Sequence, residues 1–239
     1  MGGLPRYKTA MGVVDWWLPR LCRLCDREIF RDIDLCGPCE RSLAWNLNPC
    51  PRCALPRPAA LSGPCPQCER EPPPFTATIA PLLYEGAVRR WVHAAKTARG
   101  LGEAKLLSGL LMRSIEANGA RIPDGLVPVP LTTLRLLRRG HNQAGLLAAP
   151  LARRFGIANH RLGLKRAAGG QPQRGQSRGA RARSVRGAFR ATRPVAGHIA
   201  IVDDVMTTGA TVTHLARTLL DAGAGRVDVW AVARVPRSY

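Results

Sequence analysis

The chain has 239 residues, 36 of them Lys or Arg against 16 Asp or Glu, for a formal net charge of +20. No stretch approaches the roughly eighteen consecutive apolar residues of a membrane-spanning helix, and no long apolar leader precedes the cysteines, so a cytoplasmic protein is expected and a disulfide-stapled secreted one is not. A positive surplus of this size draws polyanions and raises their encounter rate at low salt.

Residues 11–21, with Trp16, Trp17, Leu18 and Leu21, form an apolar lead-in expected to pack on the cysteine-rich segment after it. All eight cysteines lie in that segment, in four Cys-x-x-Cys pairs: Cys22/Cys25, Cys36/Cys39, Cys50/Cys53 and Cys65/Cys68. Successive pairs are separated by ten, ten and eleven residues, which suits short hairpins that bring two knuckles around a tetrahedral ion. Two structural four-cysteine zinc sites are expected, with no open coordination position. The near-equal spacings do not separate sequential from cross-braced pairing. Sequential pairing closes the shorter loops, an advantage of only about 1 kcal/mol. Cys36-Gly37-Pro38-Cys39 spells a thioredoxin-type redox motif, but no β-α-β pattern surrounds it.

A module of about seventy residues this poor in aliphatics needs metal to stay folded. Glu71-Pro72-Pro73-Pro74 then marks a boundary, because a proline run cannot continue either neighbour's hydrogen bonding. Domains are therefore expected over 1–74 and 75–239. Beyond the prolines, strands are expected over Thr76 to Leu83, Leu126 to Pro130, Ile199 to Val202 and Val227 to Val232. Helices are expected over Gly86 to Thr97, Ala104 to Glu116, Gln143 to Phe155 with a kink at Pro150, and Val212 to Asp221. This alternation predicts an α/β fold with a mostly parallel, doubly wound sheet, whose ligands bind beyond the carboxyl ends of the strands.

Between Asp124 and Asp203 there is no acidic residue, while fifteen Lys or Arg lie between Arg135 and Arg193. Within that interval Arg138-Arg139-Gly140-His141-Asn142-Gln143 opens a helix, a place where guanidiniums and a helix N-terminus face an anion together. The glycine- and arginine-rich segment from Gln171 to Phe189 reads as a flap that closes over an anionic ligand. Few aromatics interleave with these arginines, so base stacking from this stretch is not expected.

Asp203-Asp204-Val205-Met206-Thr207-Thr208-Gly209-Ala210-Thr211 follows an apolar strand and leads into a helix. Adjacent carboxylates at a buried strand end need donors or a metal opposite them, and a sugar diol supplies donors. The small hydroxylated loop after them can wrap a phosphate with its backbone N–H groups at a helix N-terminus. Diol and phosphate together describe a ribose 5-phosphate. No Gly-x4-Gly-Lys-Ser/Thr loop is present to bind a nucleotide instead.

These nine residues resemble the signature of the type I phosphoribosyltransferases, which bind phosphoribosyl pyrophosphate. The resemblance implies that Asp203 and Asp204, the catalytic pair, hold the ribose hydroxyls directly or through Mg2+-bound water. It implies as well that Thr207, Thr208, Gly209, Ala210 and Thr211 hold the 5-phosphate. Leu126-Val127-Pro128-Val129-Pro130, the run from Arg138 to Gln143, and Tyr84, Gly86, Arg89 and Lys96 are similar to the ComF family of bacterial competence-associated proteins. That family joins a double zinc ribbon to a phosphoribosyltransferase-like domain, and the similarity covers essentially the whole chain. It assigns Arg138, Arg139, Gly140, Asn142 and Gln143 to the pyrophosphate, and Gln173, Arg181 and Arg183 to the flap. Ala188 and Phe189 match the flap's end, whereas Ser184 and His141 replace the family's Asn and aromatic residue. The implied ligands are two Zn2+, Mg2+ with phosphoribosyl pyrophosphate, single- or double-stranded DNA, and proteins of the competence machinery. A role in DNA uptake is expected; the alternative is an active phosphoribosyltransferase of nucleotide metabolism or salvage with a nitrogen acceptor.

Overall fold

The computed structural model of the protein describes residues 20–97, 100–159, 164–166 and 189–236. The expected flap residues Gln173, Arg181 and Arg183 lie outside the described residues.

The cysteine region builds one local pattern twice. In the first copy β1 (Arg20–Leu21) pairs antiparallel with β2 (Glu28–Ile29), and the Cys22 N–H donates to Arg27 O at 2.8 Å. Asp26 turns left-handed at φ 55°, its N–H donating back to Cys22 O. The short helix α1 (Gly37–Arg41) then opens on Cys36. In the second copy the Cys50 N–H donates to Leu55 O at 2.9 Å, Ala54 takes the left-handed turn at φ 53°, and α2 (Pro66–Arg70) opens on Cys65. Proline in the first turn of each helix costs nothing, because the N–H it lacks would have no intrahelical partner there.

The chain divides into two compact units, 1–43 and 44–239, rather than at the proline run. The physical reason lies in the core: Cys50, Cys53, Leu55, Cys65, Cys68 and Phe75 share one buried cluster with residues of the α/β sheet.

The expected strand over Thr76 to Leu83 forms as two short ones, β3 (Thr78–Ile79) and β4 (Leu82–Leu83). After them come α3 (Gly86–Ala94), α4 (Leu101–Ala117), β5 (Gly125–Pro128), α5 (Thr133–Arg139), α6 (Gln143–Phe155) and β6 (Ala158–Asn159). Next, β7 (Leu164–Arg166) pairs antiparallel with β8 (Phe189–Ala191), and the chain closes with β9 (His198–Met206), α7 (Ala210–Asp221) and β10 (Arg226–Arg234). The main sheet is six-stranded in the order β3-β10-β9-β5-β6, with β4 also on β10, and every pairing in it is parallel. The bounds of α6, Gln143 to Phe155, are those expected, and Pro150 lies inside the helix.

Alternation along the strands assigns the two faces. Val127, Ile199, Ile201, Val227, Val229 and Ala231 share a cluster with Val212, Leu215, Ala216 and Leu219 of α7. The intervening Leu126, Ala200, Val202, Trp230 and Val232 are also buried, and Trp230 meets the ring of Phe155 of α6 edge-on at 6.0 Å. Both faces are therefore covered, α7 on one and α6 with its neighbour α4 on the other. This is the doubly wound parallel sheet, preceded in sequence by cysteine ribbons, that the sequence implied. At the amino ends of β9 and β10, His198 Nε2 and Arg226 Nη2 meet Asp228 Oδ2 at 2.8 and 3.0 Å, so the buried carboxylate is paired.

Candidate functional site

The sheet's unequal strand lengths create the site. The last β5–β9 pairing joins Pro128 to Val202, whereas β9 runs on beside β10 to Met206. Asp203 and Asp204 thus sit on an overhang flanked by a strand on one side only. The Asp204 N–H donates to Asp203 Oδ1 at 2.9 Å, and the Val205 N–H donates to Asp204 Oδ1 at 2.7 Å, so the carboxylates cap the overhang's own amides. Lys96, just past the end of α3, places Nζ 3.1 Å from Asp204 Oδ2. Burial first, and then the neighbouring Asp204 carboxylate, hold Asp203 well above the usual carboxylate range. Asp203 is therefore a reluctant acid.

A cleft of about 200 Å³ joins these acids to Lys96, Arg135, Arg139, Asn142, Gln143 and Thr211. Of the residues expected at the pyrophosphate, Arg139, Asn142 and Gln143 line it. Arg138 and Gly140 do not. Arg135 takes Arg138's place, because residues four apart share a side of α5. The sequence reading missed α5, and with it Arg135: Leu134, Leu136 and Leu137 are all exposed, so no apolar stripe announces the helix. Gly140 ends α5 in the left-handed conformation at φ 73°, its N–H donating to Leu136 O at 2.8 Å. Asn142 caps α6 by accepting from the Ala144 N–H at 3.1 Å, while its Nδ2 donates to Val129 O at 3.0 Å. It thereby fixes the helix start to the strand end. Arg139 Nη1 donates to Gln143 Oε1 at 2.9 Å, and the buried Gln143 Nε2 has no acceptor among the described residues. A buried donor without a partner beside two arginines, a lysine and a helix start favours an anionic ligand.

On the far side of the acids, Thr207 and Thr208 are exposed, and Gly209 begins α7 at φ 81°. A Cβ at Gly209 would fall 3.0 Å from Met206 Cε. Thr208 Oγ1 accepts from the Ala210 N–H at 3.2 Å. The loop from Thr207 to Thr211 thus meets the cleft through Thr211 at a helix N-terminus. Sequence reasoning also missed Arg234, a lone charge at the end of an apolar strand. It is 2% exposed, and it donates to the carbonyls of Cys53, Met206 and Thr207.

The metal centres form sequentially, Cys22, Cys25, Cys36 and Cys39 in one cluster and Cys50, Cys53, Cys65 and Cys68 in the other. Sulfurs of Cys25 and Cys36 are 3.7 Å apart, and those of Cys53 and Cys65 are 3.6 Å apart. Tetrahedral zinc with Zn–S bonds of about 2.3 Å requires sulfurs about 3.8 Å apart, whereas a disulfide requires about 2.05 Å. Burial opposes ionisation of Cys22, but backbone N–H groups of Cys36, Leu24 and Cys25 outweigh it and bring the thiol down to about 6. Cys50 falls in the same way to about 7, against burial, through N–H groups of Cys53, Cys65 and Arg52. Burial and the neighbouring Cys50 push Cys53 up to about 11. Four clustered thiols cannot all ionise alone, and a dication removes the conflict, so the residues fit two four-cysteine zinc sites.

Comparison with known proteins is consistent with this geometry. Residues 13–69 match the double zinc ribbon domain. The DNA utilization protein YhgH of Salmonella typhimurium is 36% identical over 91% of this chain and 98% of its own length. That of Escherichia coli K12 is 34% identical over the same shares. Competence protein F of Haemophilus influenzae is 27% identical over 90% of each chain. Among solved structures, the allosteric regulatory enzyme of purine biosynthesis matches with a TM-score of 0.40 at 21% identity, over 59% of this chain and 30% of that one. The glutamine phosphoribosylpyrophosphate amidotransferase of B. subtilis matches with a TM-score of 0.41 at 20% identity, over 61% and 30%. The chain spans less than a third of either enzyme. No helix among the described residues is long and apolar enough to cross a membrane.

Proposed function

The chain belongs to the ComF family, with the DNA utilization protein YhgH and competence protein F, and from that premise we propose that it binds Mg2+-phosphoribosyl pyrophosphate and serves DNA uptake by binding DNA. One observation carries the ligand reading: the carboxylates of Asp203 and Asp204 share a cleft with Lys96, Arg135, Arg139 and Gln143, whose Nε2 has no acceptor among the described residues. Acceptors for a diol and donors for a pyrophosphate line one space. Asp203 and Asp204 take the ribose hydroxyls, Thr207 to Thr211 the 5-phosphate, and Arg135, Arg139 and Gln143 the pyrophosphate. Lys96 neutralises Asp204 until the ligand supplies donors. Carboxylate oxygens are the hard donors Mg2+ prefers, and the ion supplies charge neutralisation between pyrophosphate and ribose. DNA uses the remainder of the basic interval from Arg135 to Arg193, in the cytoplasm and alongside other proteins of the uptake machinery.

Calorimetric titration of the zinc-loaded protein with Mg2+-phosphoribosyl pyrophosphate tests the ligand, with Asp203→Asn/Asp204→Asn as control. Micromolar binding lost in the control is the expected result; no binding in the native protein sinks the reading. Joint replacement of Arg178, Arg181 and Arg183 by Ala is expected to flatten the salt dependence of DNA affinity by about one unit of slope for each phosphate no longer neutralised. An unchanged slope puts the DNA elsewhere.

A further inference from the structure

We propose that Arg234 is a positioning residue through which the second zinc ribbon holds the loop from Thr207 to Thr211 in its ligand-binding form. Arg234 closes β10 and is buried. Its Nε donates to Cys53 O at 2.9 Å, and its Nη1 donates to Met206 O at 2.8 Å, to Thr207 O and to Val235 O at 3.2 Å. Cys53 is a ligand of the second metal centre, and Thr207 is the first residue of the loop. One planar cation therefore spans the two with directed hydrogen bonds, a geometry that a lysine's single ammonium on a flexible stem cannot reproduce.

The ribbon's side of the joint is itself fixed by the sheet. Thr78 N–H donates to Pro51 O at 3.3 Å and Thr78 Oγ1 to Arg52 O at 2.5 Å, so three successive carbonyls of the Cys50/Cys53 knuckle are held, the third by Arg234. Asn46 Nδ2 takes the fourth, Ala54 O, at 2.8 Å. These carbonyls keep their directions only while the knuckle keeps its turn, which includes the left-handed Ala54 and closes around the metal. Zinc at this centre thus sets where Cys53 O points, Cys53 O sets the guanidinium, and the guanidinium sets the carbonyls of Met206 and Thr207. Loss of the second zinc opens the loop and weakens ligand binding with no change at Asp203 or Asp204. The first centre belongs to the other compact unit, so its metal is expected to leave the loop unaffected.

The test compares Arg234→Lys with the native chain by zinc content, by hydrogen exchange of the Thr208 to Thr211 amides, and by affinity for Mg2+-phosphoribosyl pyrophosphate. We expect two zinc per chain retained, exchange faster by about tenfold and affinity lower by about tenfold, the usual effect of removing a group that orients a site from behind. Chelator titration of the native protein, with alkylation identifying which cysteines have lost their metal, supplies a second arm that needs no variant to fold. Loop exchange is expected to rise with alkylation of Cys50, Cys53, Cys65 and Cys68 and not with that of the first four cysteines. Unchanged exchange in a folded Arg234→Lys protein, or loop opening that follows the first centre, overturns the proposal. The affinity arm rests on the ligand reading above and the exchange arms do not, so failure to bind phosphoribosyl pyrophosphate leaves the coupling decided on exchange alone.

Discussion

The two ribbons share a backbone and differ in their surroundings. Each has an N–H···O-closed knuckle with a left-handed residue after its second cysteine, and each opens a short helix at its third, running Cys-x-x-Cys-Glu-Arg. In the first, Cys25 is exposed and the left-handed residue is Asp26, tolerant of that conformation. In the second all four cysteines are buried, the left-handed residue is a fully buried alanine, and the knuckle's carbonyls are taken by Thr78, Arg234 and Asn46. One motif thus serves as a small metal-held module in one place and as part of a larger domain's core in the other.

That contrast is broken most sharply by removing one ligand from each. Cys53→Ser is expected to lose the second zinc and lower the main thermal transition of the α/β unit by about 10 °C, the shift of roughly 3–5 kcal/mol, while the sheet still folds. Cys25→Ser should lose one zinc and leave the main thermal transition within a few degrees, roughly the shift of 1 kcal/mol. Metal analysis and calorimetry read both, and equal losses would erase the distinction. Next in size, Asp204→Asn is expected to remove the proposed charge-assisted contact to the ribose, about 1.5–3 kcal/mol or roughly ten- to hundredfold in affinity, while the second ribbon keeps its zinc.

Asp203→Asn separates binding from stability. Burial raises Asp203 in the folded state, so the native protein binds more protons than the unfolded chain, and stability falls as pH rises from the ordinary carboxylate range toward the raised value. The variant should therefore melt at higher temperature than the native protein at pH 7 without ligand. The gain should shrink as pH falls toward 4. A gain that is independent of pH would place its origin elsewhere. Smallest is Gly209→Ala, which forces a left-handed alanine whose Cβ meets Met206 Cε at 3.0 Å and should cost about 1–2 kcal/mol of stability, read by denaturant titration.

The features legible in the sequence were those that repeat or alternate. Paired cysteines at even spacing gave both metal centres but left their pairing to the structure, which makes it sequential, and alternating apolar runs gave the parallel strands and α6 to the residue. The place of the acidic pair at a strand end was legible because it follows directly on the apolar run from His198 to Val202. Single residues acting across long sequence separations were not. Arg234 reaches Cys53 across the whole α/β unit, and nothing near either in sequence marks the other. Arg135 depends on a helix whose leucines face outward. The sharing of one core across the proline run was not legible: Phe75, immediately after it, is buried in the cluster that the second ribbon's cysteines join.

The overhang of β9 beyond β5 has a further consequence. The β5–β9 ladder ends at Val202, and beyond it the acids' backbone stays paired with β10 while, among the described residues, their side chains hold their own amides and Lys96. Architecture and chemistry therefore occupy consecutive but separable stretches of one strand. A lineage can rewrite the overhang, losing or changing the ligand, without disturbing a single pairing of the ladder, and the scaffold remains available for whatever the basic surface does.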